Sequence, residues 1–228
     1  MTACGDAIVE LIADVTERGI HHAVVLLRHS AREYHPQIHD LDNPLTDEGR
    51  MLARRLGERL PKWHTLRGYA SPPARCMETA ELILAEHARH GGDVTRHRPV
   101  EALGVFYALD QMKMWRGMNQ AGGLVPYMEQ WFAGSVPDDA MIAPQLAASL
   151  VLQVLAAKLA APLTEQQLDI CVSHDMTLYL LRDRLLGQPV GACEVGYLDG
   201  LVLFQDAEGL RLVGQDGQEA AVALAPHF

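Results

Sequence analysis

Two histidines stand out because of what precedes and follows them: Arg28-His29-Ser30 near the start of the chain, and Ser173-His174-Asp175 about 145 positions later. Near pH 7 an imidazole can act as nucleophile, general acid or general base. The guanidinium of Arg28 is always charged and forks to fit an anion's oxygens, while Asp175 can hold or release a proton. A chain with eleven histidines supplies such pairs by chance, and a histidine at a strand end is more often a satisfied polar residue than a catalyst. His21, His22, His64, His87 and His97 carry no flanking pattern and take that plain role.

The elements around the two sites make the pair meaningful. Ala23 to Leu27, AVVLL, is a short continuous apolar run that suits a strand buried on both faces, and it ends directly in Arg28-His29. Asp169 to Val172 is a second such strand, ending in Ser173-His174-Asp175. Open α/β sheets bind ligands at the carboxyl ends of parallel strands, so the two histidines are expected on one edge. Helices are expected over 5–18, over 46–60 with Thr46 as N-cap, after Ser71-Pro72-Pro73, over 145–161 and over 176–186. Further strands are expected at 68–71 and 94–100, with a closing pair at 201–204 and 210–213 around the turn DAEG. Residues 101–140 are rich in Gly, Met and Pro and fit an inserted, lid-like segment with some helix. Within it Phe106, Tyr107, Met112, Met114, Trp115 and Met118 are candidates for pocket walls or for core.

Taken in order, LLRHSAREY, NPLTDEGR, YASPPARCMETA and VSHDMTLYLL, with YLDGLVLF closing, resemble the histidine phosphatase superfamily, which includes the phosphoglycerate mutases. The resemblance covers residues 23–186 and implies a three-layer α/β/α sandwich, phosphoglycerate mutase-like, with a mostly parallel central sheet flanked by helices. It implies that His29 is the nucleophile, taking a phosphoryl group from a monoester to give a phosphohistidine. It implies that Arg28, Arg32 and Arg75 bind the phosphate and that His174 stabilises the transferring group. Built-in cations would make the chemistry independent of metal or other cofactor. The proton for the leaving oxygen falls to Asp175 if the acid-phosphatase branch is followed, or to Glu101 if the mutase-like branch is. The tripeptide Ser173-His174-Asp175, with Arg32 three places after His29, favours Asp175. The family's Arg-His-Gly is here Arg-His-Ser, which gives up glycine's backbone freedom at position 30. Asp42-Asn43 before Pro44 reads as an ordinary turn.

Composition excludes several classes. Nineteen Lys and Arg stand against 29 Asp and Glu, a formal net charge of -10, which argues against nucleic acid or an anionic membrane as partner. The N-terminal residues lack a signal-peptide pattern, and the most apolar stretch, 146–162, is interrupted by Gln153 and Lys158. Cys4, Cys76, Cys171 and Cys193 are scattered, as suits reduced thiols in a cytoplasmic protein rather than a zinc site. No HExxH or similar run suggests a zinc hydrolase. The sequence therefore points to one domain over 1–228 that acts on a small phosphorylated substrate or a phosphorylated protein. A mutase-type isomerase and a non-catalytic phosphate-binding protein are the alternatives, and residues 101–140 hold only Lys113 and Arg116 as cations for a mutase's acidic substrate.

Overall fold

A computed structural model describes residues 4–35, 37–38, 42–95 and 97–224. Seven strands form one mixed sheet: β1 (His22–Arg28), β2 (Thr65–Ala70), β3 (Arg98–Pro99), β4 (Gln167–Ser173), β5 (Gly200–Asp206), β6 (Gly209–Gly214) and β7 (Glu219–Ala221). Their order is β3-β2-β4-β1-β5-β6-β7. The first four in that order run parallel, and β5, β6 and β7 are added antiparallel.

The helices are α1 (Asp6–Glu17), α2 (Asp47–Arg59), α3 (Ala74–Arg89), α4 (Gln111–Ala121), α5 (Leu124–Phe132), α6 (Pro144–Leu159) and α7 (Asp175–Leu186). Side chains alternate across β1, and the two faces serve separate cores. Ala23, Val25 and Leu27 pack with residues of α1, α2 and α3, whereas Val24 and Leu26 pack with residues of α4 to α7. Helices on both faces explain why β1 carries an unbroken apolar run from Ala23 to Leu27 and why β4 is buried at every position, with its one charged residue, Asp169, paired to Arg67. The α/β/α sandwich expected from the sequence is present.

Most elements fall within a residue or two of their expected bounds, and Thr46 caps α2 by accepting the Gly49 N–H at 2.9 Å. Two stretches differ more: β2 begins at Thr65, ahead of the expected 68–71, and within 94–100 only Arg98–Pro99 pair with β2, joined by a single bridge from Leu66 to Val94. Proline offers no N–H to a ladder, so β3 can be only a short edge. Among the described residues, no helix is long and apolar enough to cross a membrane.

Candidate active site

Register brings the two histidines together. In the parallel β1–β4 pair Arg28 lies opposite Ser173, so His29 and His174 are each the first residue past the paired strand. The His29 N–H donates to the Ser173 carbonyl at 3.0 Å, and the imidazole rings meet edge-on with centroids 5.7 Å apart. On the other side of β4, Ala70 pairs with Val172, which puts Ser71 beside the same edge. The chain then turns through Pro72-Pro73 into α3, whose first turn carries Arg75. Helices α3 and α7 thus both begin at this edge, and their N-terminal dipoles favour an anion there.

His29 is 3% exposed. Its Nδ1 lies 2.8 Å from the Ser30 carbonyl, which can only accept, so Nδ1 carries the proton and Nε2 is left with a lone pair. The Arg75 Nε–H donates to that Nε2 at 3.2 Å. Burial first, and then the charges of His174, Arg75 and Arg28, push the His29 imidazole well below its ordinary pKa, against the Ser30 carbonyl, which favours the proton. A neutral ring with a fixed tautomer is what a nucleophile at Nε2 requires.

His174 is buried and its Nε2 lies 2.9 Å from the Ser71 hydroxyl and 3.8 Å from the Cys76 sulfur. Burial pushes the Cys76 thiol up to about 12, so this sulfur is an inert neighbour rather than a second nucleophile. Arg28 turns sideways: it donates to the Val195 carbonyl at 2.6 Å, pairs with Asp175 at 3.0 Å and lies 4.3 Å from the centre of the Tyr197 ring. Among the described residues its buried Nε–H finds no partner. Asp175 accepts the Met176 N–H at 2.8 Å, so each of its oxygens has a role.

The loop after β1 depends on residues whose part the sequence did not announce. The Ser30 hydroxyl donates to the Gly49 carbonyl at 2.7 Å, and the Ser30 N–H donates to Thr79 Oγ1 at 3.2 Å. Among the described residues the one non-glycine with positive φ is Leu198, so position 30 does not need glycine. The close approach is paid for on the other side: a Cβ at Gly49 would lie 2.0 Å from the Ala31 carbonyl oxygen. Asn43 is buried and accepts the His35 N–H at 3.0 Å, which makes it a brace of this loop as well as part of a turn. Tyr197, 6.0 Å from His29 between ring centroids, was not singled out beforehand. Only the antiparallel pairing of β5 with β1, where Gly200 faces Leu27, delivers it to the site.

A cavity of about 570 Å³ opens over this edge, lined at its base by His29, Arg32, Arg75 and His174, with Glu101 and Asp175 at its side. Arg28 is the one expected site residue that does not line it. Of the six candidates in the middle region, Phe106, Met114, Trp115 and Met118 line the cavity. Tyr107 is instead fully buried, bonded to Thr177 at 3.0 Å and stacked on Trp131, and Met112 is 62% exposed. Helical spacing accounts for the split, since Met114, Trp115 and Met118 share one side of α4 while Met112 is turned away.

The fold is shared with known structures. The chain aligns with a mycobacterial hydrolase at a TM-score of 0.57 and 18% identity, over 87% of this chain and 99% of that one. A phosphoserine phosphatase mutant from Entamoeba histolytica in complex with phosphoserine matches at 0.54 and 15% identity, over 84% and 94%. A phosphoglycerate mutase from Bacillus anthracis matches at 0.54 and 17% identity, over 90% and 94%. Identities this low establish the fold alone. No curated protein matches the sequence. The model of the histidine phosphatase superfamily (branch 1) matches residues 24–98, which include β1, His29 and Arg75. The likeness is therefore to branch 1 of that superfamily over residues 24–98, and to phosphoglycerate mutase-like structures in fold over most of the chain.

Proposed function

We infer that the protein is a phosphatase that hydrolyses a phosphate monoester through a phosphohistidine on His29, with Arg32 and Arg75 neutralising the transferring group and Arg28 braced outside the cavity against Asp175. In the first step a new bond forms between Nε2 and phosphorus while the ester P–O bond breaks, and the departing alkoxide takes a proton from a carboxylic acid. In the second, the resulting carboxylate removes a proton from water, the water oxygen bonds to phosphorus, and the N–P bond breaks to release inorganic phosphate. His174 and the helix N-termini add stabilisation as charge spreads over the phosphoryl oxygens.

The observation that carries this reading is the state of His29. Its Nδ1 is tied to the Ser30 carbonyl and its Nε2 lone pair faces a guanidinium N–H that a phosphate oxygen can share. We assign the leaving-group proton to Glu101 rather than Asp175. Both line the cavity, but the Asp175 carboxylate is engaged by Arg28 and by the Met176 N–H, whereas Glu101 is exposed and its carboxylate, among the described residues, has no hydrogen bond or ion pair.

Hydrolysis is favoured over phosphoglycerate isomerisation because Lys113 and Arg116, the cations of the middle region, line a separate cavity on the far side of α4. They are not available to hold a substrate carboxylate in this site. The test is phosphate release from a panel of small monoesters in excess chelator across pH 5 to 8, beside an isomerisation assay on phosphoglycerate. Chelator-resistant release is expected, with His29 kept neutral by burial down to pH values below 6.5. Isomerisation without net release would replace this reading with a mutase.

A further inference from the structure

The phosphate end of the cavity and its outer end are built differently. Resting on the phosphatase reading, the geometry points to a substrate whose alcohol part is bulky, apolar and uncharged, with no second acidic group beyond the phosphate. Arg75 is bound to His29, and Arg32 lies in the loop that leaves β1 through His29. Both cations among the described lining residues therefore belong to the stretch that meets phosphate. Much of the rest of the wall is apolar, with Val105, Phe106, Met114, Trp115, Met118 and Leu124 all buried or half-buried. Its polar members, Tyr34, Ser71, Gln111 and Asn119, are neutral, and the remaining charges among the described lining residues, Glu101 and Asp175, are acidic.

The periodicity of α4 produces this division. Residues 111, 114, 115, 118 and 119 face the site, while Lys113, Arg116, Gly117 and Gln120 face a second cavity of about 380 Å³, where Lys113 pairs with Asp139. A carboxylate or second phosphate on the substrate would meet an apolar wall and two acidic groups, with no cation among the described residues there to compensate for its lost hydration. An aryl or arylalkyl group would instead bury its surface against Trp115, Phe106 and polarisable methionine sulfurs that adapt to irregular shapes. At about 570 Å³ the cavity has room for such a group together with the phosphate.

Three primary-alcohol esters separate the chemistry of the leaving group from its recognition: naphthylethyl phosphate, glycerol phosphate and phosphoglycerate. The expected kcat/KM for the first exceeds the others by at least about 10-fold. Met118→Lys should shrink that preference and raise the rate on phosphoglycerate, because it places a cation in the apolar wall. A second arm does not depend on turnover: calorimetric binding of naphthylethylphosphonate against methylphosphonate to the wild-type protein, with the first expected about 10-fold tighter or more. Equal kcat/KM values, or a preference for the carboxylated ester, would overturn this inference and leave the phosphatase reading standing. No hydrolysis of any ester with selective binding of the naphthyl phosphonate would do the reverse. Equal binding of the two phosphonates would overturn it whatever the rates.

Discussion

His29→Ala is expected to keep its fold and lose at least about 10⁴-fold in the rate of phosphate release. Truncation removes the atom that bonds to phosphorus, and among the described residues of the site none is placed to replace it: Cys76 holds its proton up to about 12, the Ser30 hydroxyl is bonded to the Gly49 carbonyl, and the Ser71 hydroxyl and His174 Nε2 are bonded to each other. The fold should survive because β1 is paired along its length by β4 and β5, and His29 lies beyond its last paired residue. The stability cost is a lost hydrogen bond and a small void, about 1–3 kcal/mol. Steady-state rates beside thermal melts check both halves. A His29→Ala protein that melts normally and still turns over at the wild-type rate would remove the nucleophile from the account.

Glu101→Gln should cost about 10²- to 10⁴-fold on esters of ordinary alcohols and far less on a nitrophenyl ester, whose phenolate leaves without a proton. Dependence on the leaving group is the signature of a general acid, and a residue that only shapes the pocket would slow all esters alike. Asp175→Asn should do the latter. Its carboxylate holds the Arg28 guanidinium at 3.0 Å, so its loss loosens a cation near His29 and lowers every rate by about 10-fold. The opposite pattern, with Asp175→Asn sensitive to the leaving group and Glu101→Gln indifferent, would move the proton to Asp175. Comparison of the two variants on two esters decides between them.

The sequence made the strands that carry the site legible because burial on both faces leaves no polar residue within AVVLL or between Ile170 and Val172. The meeting of His29 and His174 followed from that, since parallel strands end on one edge. Long-range order was not legible. Nothing local announces that β5 lies antiparallel beside β1, so Tyr197 and the Val195 carbonyl, which hold Arg28, could not be foreseen. The middle region failed in a different way. Its aromatic and methionine residues look alike in sequence, and only the turn of α4 and the burial of Tyr107 against Trp131 sort walls from core. The choice between two acids was obscure for a similar reason, because the tripeptide around His174 does not reveal that Asp175 faces Arg28.

The arrangement at position 30 shows how a departure from a familiar motif can be absorbed. Serine stands where the resembled Arg-His-Gly has glycine, yet its hydroxyl fastens the loop to the Gly49 carbonyl at the start of α2, and the position that needs a missing Cβ beside this loop is Gly49. The Ser30 carbonyl remains in place to hold the proton on Nδ1 of His29. The one reason to suspect a non-catalytic relative therefore loses its force.

The most direct test is to quench the wild-type protein during turnover of a phosphate-labelled ester and to locate the label. The account expects phosphate bound to His29 through nitrogen, stable to base and lost in acid, and absent from His29→Ala. Turnover with no label on His29, or with label on another side chain, would contradict it.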